Sequence, residues 1–334
     1  MGGKVWRAGA VNTIIVTMSD VPAIRTEDGT KDTLMMRWML IPLLVGLVAM
    51  GCSGPDDGLD EDAAPGEQRG RFGLVHVTYD HDWAESGDAV LLTTTAQFVR
   101  YAAMDRDQVS RLLALPLDPD HDLPALDQCK RYDLSVDMVA EEALEAEETG
   151  NVELLEAGQL KIQTKGETVT LSPRHFPWLL PFISGVVYGE AQTSAVNTVS
   201  GVRAVADGGE AIGAFTAQVE SPTLPRLLQV GTAQPSALIS ASRTALNVRW
   251  SADDKTADVT YAELRYTRGK RDVALRCRVR DDGSFELPAS LLAEISGKTT
   301  LELVRLRRAP FTAAGLEQGE LRLAVRDRAS VQFE

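Results

Sequence analysis

The chain has 334 residues, 34 Lys and Arg against 48 Asp and Glu, a formal net charge of −14, only 6% aromatic residues and three cysteines. A chain this acidic does not hold a nucleic-acid backbone by bulk attraction. Its length exceeds what one core usually organises, and its charge is uneven: residues 53–242 carry 12 basic and 30 acidic side chains, residues 243–328 carry 17 and 13. An acidic front and a mildly basic back predict two domains with different surfaces.

Residues 1–34 include Asp20, Glu27, Asp28 and Asp32, which a positive leader should lack. They read as untranslated or disordered, with translation starting at Met35 or Met36, and carry no weight in the fold. The next stretch, "MMRWMLIPLLVGLVAMGC", puts Arg37 before an uncharged run from Leu40 to Met50. That run is too short for a membrane-spanning helix, which needs about 20 apolar residues. A basic residue, an apolar core and then small residues are the layout of a secretory signal, over residues 35–51. The ending Ala49-Met50-Gly51-Cys52 resembles the lipobox of bacterial lipoproteins. The resemblance implies cleavage before Cys52, acylation of its thiol, and a membrane partner reached through lipid. Ser53 follows where Asp would retain such a protein in the inner membrane, so by analogy the outer membrane is expected. Residues 52–70, "CSGPDDGLDEDAAPGEQRG", cannot bury enough surface to offset chain entropy and read as an acidic flexible tether.

Beyond the tether, residues 72–79 and 89–101 are rich in β-branched and aromatic side chains and predict strands. "MDRDQVSRLLALPL" predicts one short helix, with an acidic start and Val109, Leu112 and Leu113 at helical spacing. "MVAEEALEAEETG" predicts a surface helix ending at Gly150. Strands are then expected at 152–156, 159–163, 167–171, 184–190, 199–206 and 211–219, in an antiparallel meander.

Pro222 and Pro225 interrupt the alternation, which puts a domain boundary near residue 222 and predicts β-rich units over 71–221 and 222–334. Past the boundary, Leu246, Val248 and Trp250 share a face. Val273, Leu275, Cys277 and Val279 share another, opposite Arg276, Arg278 and Arg280. Leu321, Leu323 and Val325 stand opposite Arg322 and Arg326. Such alternation means one packed face and one polar face. A three-residue hairpin loop, Asp281-Asp282-Gly283, would pair Val279 with Phe285, Arg278 with Glu286 and Cys277 with Leu287. About seven strands with a buried Trp resemble an immunoglobulin or fibronectin-type sandwich. The whole chain is similar to β-rich bacterial lipoproteins of unknown function. The expected fold class is mainly β, in two domains, with one or two short helices in the first.

The sequence has no G-x-S-x-G, H-E-x-x-H, C-x-x-C, Walker loop or G-x-G-x-x-G, so no cofactor, metal centre or catalysis is expected. "DPDHD" at 118–122 offers hard ligands but lacks the Gly and Glu of a calcium loop at the sixth and twelfth places, and reads as an exposed acidic turn. In "VTYDHDW", His76 and Asp80 share a strand face too far apart to touch; the reading is a strand end and a polar turn. "SPRHFPWLLPF" reads as a loop tucked under the sheet. With Cys52 given to lipid, Cys129 and Cys277 remain to pair in an oxidising envelope or to stay separate buried thiols. Arg276, Arg278, Arg280, Arg322 and Arg326 would grip an anionic glycan or lipid headgroup; the alternative is cross-strand pairing with Glu263, Glu286 and Glu302, which is favoured. The expected role is lipid-anchored envelope binding or structure, with another envelope protein or a glycan as partner. The rival is an exported hydrolase acting on glycan or peptide through carboxylates or His76.

Overall fold

The computed structural model describes residues 69–83, 90–134, 150–175, 183–196, 199–253 and 257–334. The expected signal, Cys52, most of the tether, the helix expected to end at Gly150, and residues 176–182 of the loop at 172–182 lie outside them.

The described chain is mainly β, with two short helices among the described residues. A long first strand, β1 (Arg69–Asp82), is followed by β2 (Val90–Ala102) and helix α1 (Arg106–Leu112). Next come β3 (Gln128–Asp133), β4 (Asn151–Leu154), β5 (Leu160–Gln163), β6 (Thr168–Leu171), β7 (Arg174–His175) and β8 (Ile183–Val196). The middle of the chain supplies β9 (Val202–Ala206), β10 (Phe215–Val219), β11 (Leu227–Val230), β12 (Ile239–Ala241) and β13 (Leu246–Trp250). The last part holds β14 (Val259–Arg268), β15 (Arg271–Val279), β16 (Ser284–Leu287), helix α2 (Ala289–Leu292), β17 (Gly297–Phe311) and β18 (Gln318–Phe333).

One large sheet runs β3-β15-β14-β17-β18-β1-β2-β4-β8-β7, with β12 on the free part of β18. Its one inner face is covered by two smaller sheets. The four-stranded sheet β10-β9-β5-β6 lies over Val75, Val77, Tyr79, Leu321, Leu323 and Val325. The three-stranded sheet β11-β13-β16 lies over Leu264, Leu275, Cys277, Leu301, Val331 and Phe333. The second core is thus a sandwich, antiparallel apart from β12, in which Trp250 is buried and the alternation of β13, β15 and β18 falls as the sequence predicts. The outer face of the large sheet carries α1, packed on Phe72, Val99 and Val152, and the loop 113–127, whose Leu117 and Leu123 cover Tyr261, Val304 and Leu306.

The described residues all belong to one compact unit. The boundary expected near residue 222 marks a change of core, and the large sheet runs across it. The physical reason is β17 and β18, each long enough to serve both cores, together with β1, which pairs in parallel with β18 from Phe72↔Gln318 to Asp82↔Arg328. The hairpin expected at residues 281–283 is not formed. β15 pairs with β14 and β3, whereas β16 pairs with β13, Phe285 opposite Val248 and Glu286 opposite Asn247. Gly283, at φ +94°, carries the chain from one layer to the other. Turn chemistry fixes a local backbone shape, but a crossover and a hairpin both need that shape.

Candidate functional site

On the inner face, the alternation that builds the two cores is broken where they meet. Along β18 the buried positions read Leu321, Leu323, Val325, Asp327, Ala329, Val331 and Phe333, with Asp327 between the two apolar sets. His81 stands opposite it on β1, and His81 Nδ1 lies 2.5 Å from Asp327 Oδ1 with both side chains fully buried. Asp327 Oδ2 accepts from the backbone N–H of Leu227 at 2.5 Å, and His81 Nε2 meets Arg226 Nη1 at 3.1 Å. Arg305 on β17 is also fully buried. It grips Asp281 with two bonds of 2.6 and 2.7 Å and donates to Thr223 Oγ1 at 2.8 Å and to the Ser251 carbonyl at 2.5 Å. Trp250 Nε1 and Thr260 Oγ1 donate to the same Asp281 carboxylate. This belt ties the linker near residues 223–227 to the large sheet. A His–Asp pair recurs in hydrolases with a nucleophile on the free ring nitrogen; here that nitrogen faces the Arg226 guanidinium.

The outer face carries a charged row perpendicular to the strands: Arg276, Glu263, Glu302, Arg328 and Asp82 stand opposite one another from β15 to β1. Arg276 Nε donates to Glu263 at 2.6 Å, and Arg265 holds the other oxygen of that carboxylate. Arg328 reaches Glu302 at 3.0 Å. Beside this row Arg326 lies 3.6 Å from Asp80 and 4.0 Å from Glu302, and Arg328 lies 3.6 Å from Asp80. Asp80 Oδ1 and Arg326 Nε are buried and make no hydrogen bond. Burial raises the Asp80 carboxyl above its ordinary value, outweighing Arg326 and Arg328. For Glu302 burial pulls the same way, but Arg326, Arg328 and Arg265 together hold it below the usual range. Burial pushes the Tyr261 hydroxyl up to about 12.

The five arginines singled out by alternation do not form one surface. Arg276 belongs to the row just described, and Arg326 lies beside it. Arg322 is buried at the other end of the strand, donating to the Pro116 and Leu117 carbonyls and to Asp118. Arg280 is exposed and pairs with Asp127 at 2.9 Å. Arg278 lies opposite Tyr261 and Gln128. The expected partners Glu263 and Glu302 are in the row, but Glu286 lies in the other layer. His76, half-buried, has its pKa pushed down to about 3 by burial and by Arg326 and Arg322, so it is neutral at physiological pH. The acidic turn at 118–122 is closed by its own backbone, Asp122 accepting from the Asp118 N–H at 2.7 Å, and Asp120 pairs with Arg308. Among the described residues no group of three His, Cys, Asp or Glu is placed to hold a metal.

Cys129 and Cys277 are joined by a disulfide, directly opposite one another on β3 and β15 with Cα atoms 4.0 Å apart. The bond fastens the edge strand of the large sheet to its neighbour. At the tip of the β14–β15 hairpin lies a cavity of about 530 Å³ lined by Arg131, Arg268, Lys270 and Arg271 with Asp133, Val273, Tyr132 and Tyr266. Sequence reading missed this cluster, because its members alternate with nothing and come from two distant segments. The one available signal was the run "RGKR" at 268–271.

No known protein family matches the chain, and no curated protein does. Among solved structures, a yeast chain described as a delta-COP-I mu-homology domain aligns at 8% identity over 81% of this chain and 100% of its own, with a TM-score of 0.20. A score that low carries no statement about fold or function.

Proposed function

We propose that this is an exported, lipid-anchored β-protein of the cell envelope with a binding or structural role. The observation that carries the reading is the Cys129–Cys277 disulfide, since such bonds persist in oxidising compartments and are rare in reducing ones. It joins the apolar run and Cys52, which supply a signal and an acylation point at the N-terminal side. Two or three acyl chains hold a protein stably, at about 0.8 kcal/mol per buried CH₂. Placement at the outer membrane rests on Ser53 by analogy. The test is the mass of the mature chain in a bacterial host. A chain beginning at Cys52 with added lipid mass, and its loss with Cys52→Ser, are expected. A mature chain that starts elsewhere and carries no lipid ends the proposal.

The rival reading, an exported hydrolase, has one observation in its favour: Asp80 and Glu302 are pushed in opposite directions, the pattern of an acid and a base sharing a site. Against it, Arg326 and Arg328 lie between the two carboxylates. His76 is too weak a base to serve. Turnover of a glycan or peptide that disappears with Asp80→Asn would establish the rival.

A further inference from the structure

From the cavity at the β14–β15 tip we infer a binding site for a phosphomonoester, free or carried on a lipid headgroup. This deepens the binding reading and rests on it. The hairpin turns at Gly269, whose φ of +66° is the left-handed conformation expected at the first position of a two-residue turn. That turn brings Arg268 and Arg271 opposite each other with Lys270 between them, and Arg131 joins from β3. Four cations against one carboxylate, Asp133, therefore line one cavity in a chain whose net charge is −14.

Their own partners take up only part of that charge. Arg131 donates to a neutral carbonyl, that of Leu291, at 2.8 Å. Arg271 reaches Asp133 at 3.5 Å, Arg268 reaches Glu294 at 3.0 Å, and Lys270 has no ion-pair partner among the described residues. One more donor lines the same space, Tyr266 from the inner face of the sheet. Tyr266 is 4% exposed, yet its hydroxyl is buried without a hydrogen bond, whereas the Tyr132 ring lies on the outer face, against Arg276 at 4.7 Å and Lys130 at 5.1 Å. A buried hydroxyl without a partner is costly, and an incoming oxygen relieves it. Guanidinium forks, a lysine point charge and the Tyr266 hydroxyl suit a compact dianion with three acceptor oxygens, and the volume suits a sugar-sized group attached to it.

The test uses the full chain in detergent, titrated with inorganic phosphate and with glucose 1-phosphate in a calorimeter. In parallel it is mixed with phosphatidylcholine vesicles with and without phosphatidic acid. Saturable, salt-sensitive binding is expected. Lys270→Glu should weaken it about tenfold or more, and Tyr266→Phe about threefold, with the thermal midpoint of Tyr266→Phe unchanged or higher because an orphan hydroxyl has been removed. Binding of the free phosphomonoester assigns a soluble source, and binding only to phosphatidic acid vesicles assigns a lipid one. No binding of any probe up to roughly 10 mM, or binding untouched by both variants, overturns the inference. Its failure leaves the anchor reading standing, since the mass of the mature chain is read separately.

Discussion

Arg305 shows how single residues can organise this molecule. It occupies an inner-face position of β17 that the alternation reserves for an apolar side chain, and it holds Asp281, Thr223 and Ser251 at once. Removing one partner of a buried pair strands the other charge, at a cost of about 3–5 kcal/mol, whereas replacing both with apolar groups is often neutral. Arg305→Met should therefore lower the urea midpoint severely, and Arg305→Met with Asp281→Leu should recover much of it. Recovery absent from the double variant would mean that the contacts to Thr223 and Ser251 matter more than the pair. His76 gives a second test. Its folded pKa of about 3 lies below the ordinary 6.5, so the unfolded chain takes up the proton first and stability falls as pH drops from about 6.5 toward 3. At pH 5 the loss is on the order of 1–2 kcal/mol. Unfolding curves of His76→Gln should lose less stability than the parent between pH 7 and pH 5. Equal losses would show that His76 protonates freely in the fold. Little of this was legible beforehand: His76 and Asp80 could be placed on one face, but Arg305, Asp327 and His81 look like interruptions until their partners, far away in sequence, are brought beside them.

At the scale of elements, what the sequence made visible were those with a strong local pattern. β1, β2, β13, β15 and β18 alternate or run apolar over many residues, and α1 opens on a capping box in which Asp105 and Gln108 hold each other's backbone N–H groups. Replacing Asp105 with Ala should cost about 1 kcal/mol of stability, read from thermal unfolding. β3 was invisible because "QCKRYD" is an edge strand with no buried side chain, and its pattern is set by the neighbour it joins. The disulfide supplies what its apolar content lacks. It closes a separation of 148 residues, for which chain entropy predicts about 4–5 kcal/mol and measurements usually give 2–4. In the Cys129→Ala, Cys277→Ala chain, amide protons of β3 should exchange rapidly while those of β14, β17 and β18 stay protected. Retained protection in β3 would show that backbone pairing alone holds the edge.

The whole molecule is organised by strands that meet from opposite ends of the described chain. β1 sits between β2 and β18, so the large sheet cannot close until the last strand has formed. Pairing at such separation makes folding slow, because the loop must close before the contacts repay it. A chain ending at residue 316, before β18, should remain sensitive to protease throughout; a resistant core in that truncation would mean that the four-stranded sheet and β1–β2 fold alone. The parallel register of β1 and β18 also has a mechanical meaning. A pull applied at Arg69 and at Glu334 drags the two strands past each other in opposite directions, loading eleven residue pairs in shear at once instead of opening them one by one. A body held by a tether before Arg69 and tugged from its far end would therefore yield late and abruptly, as a clamp does, with its two cores still intact when the strain arrives.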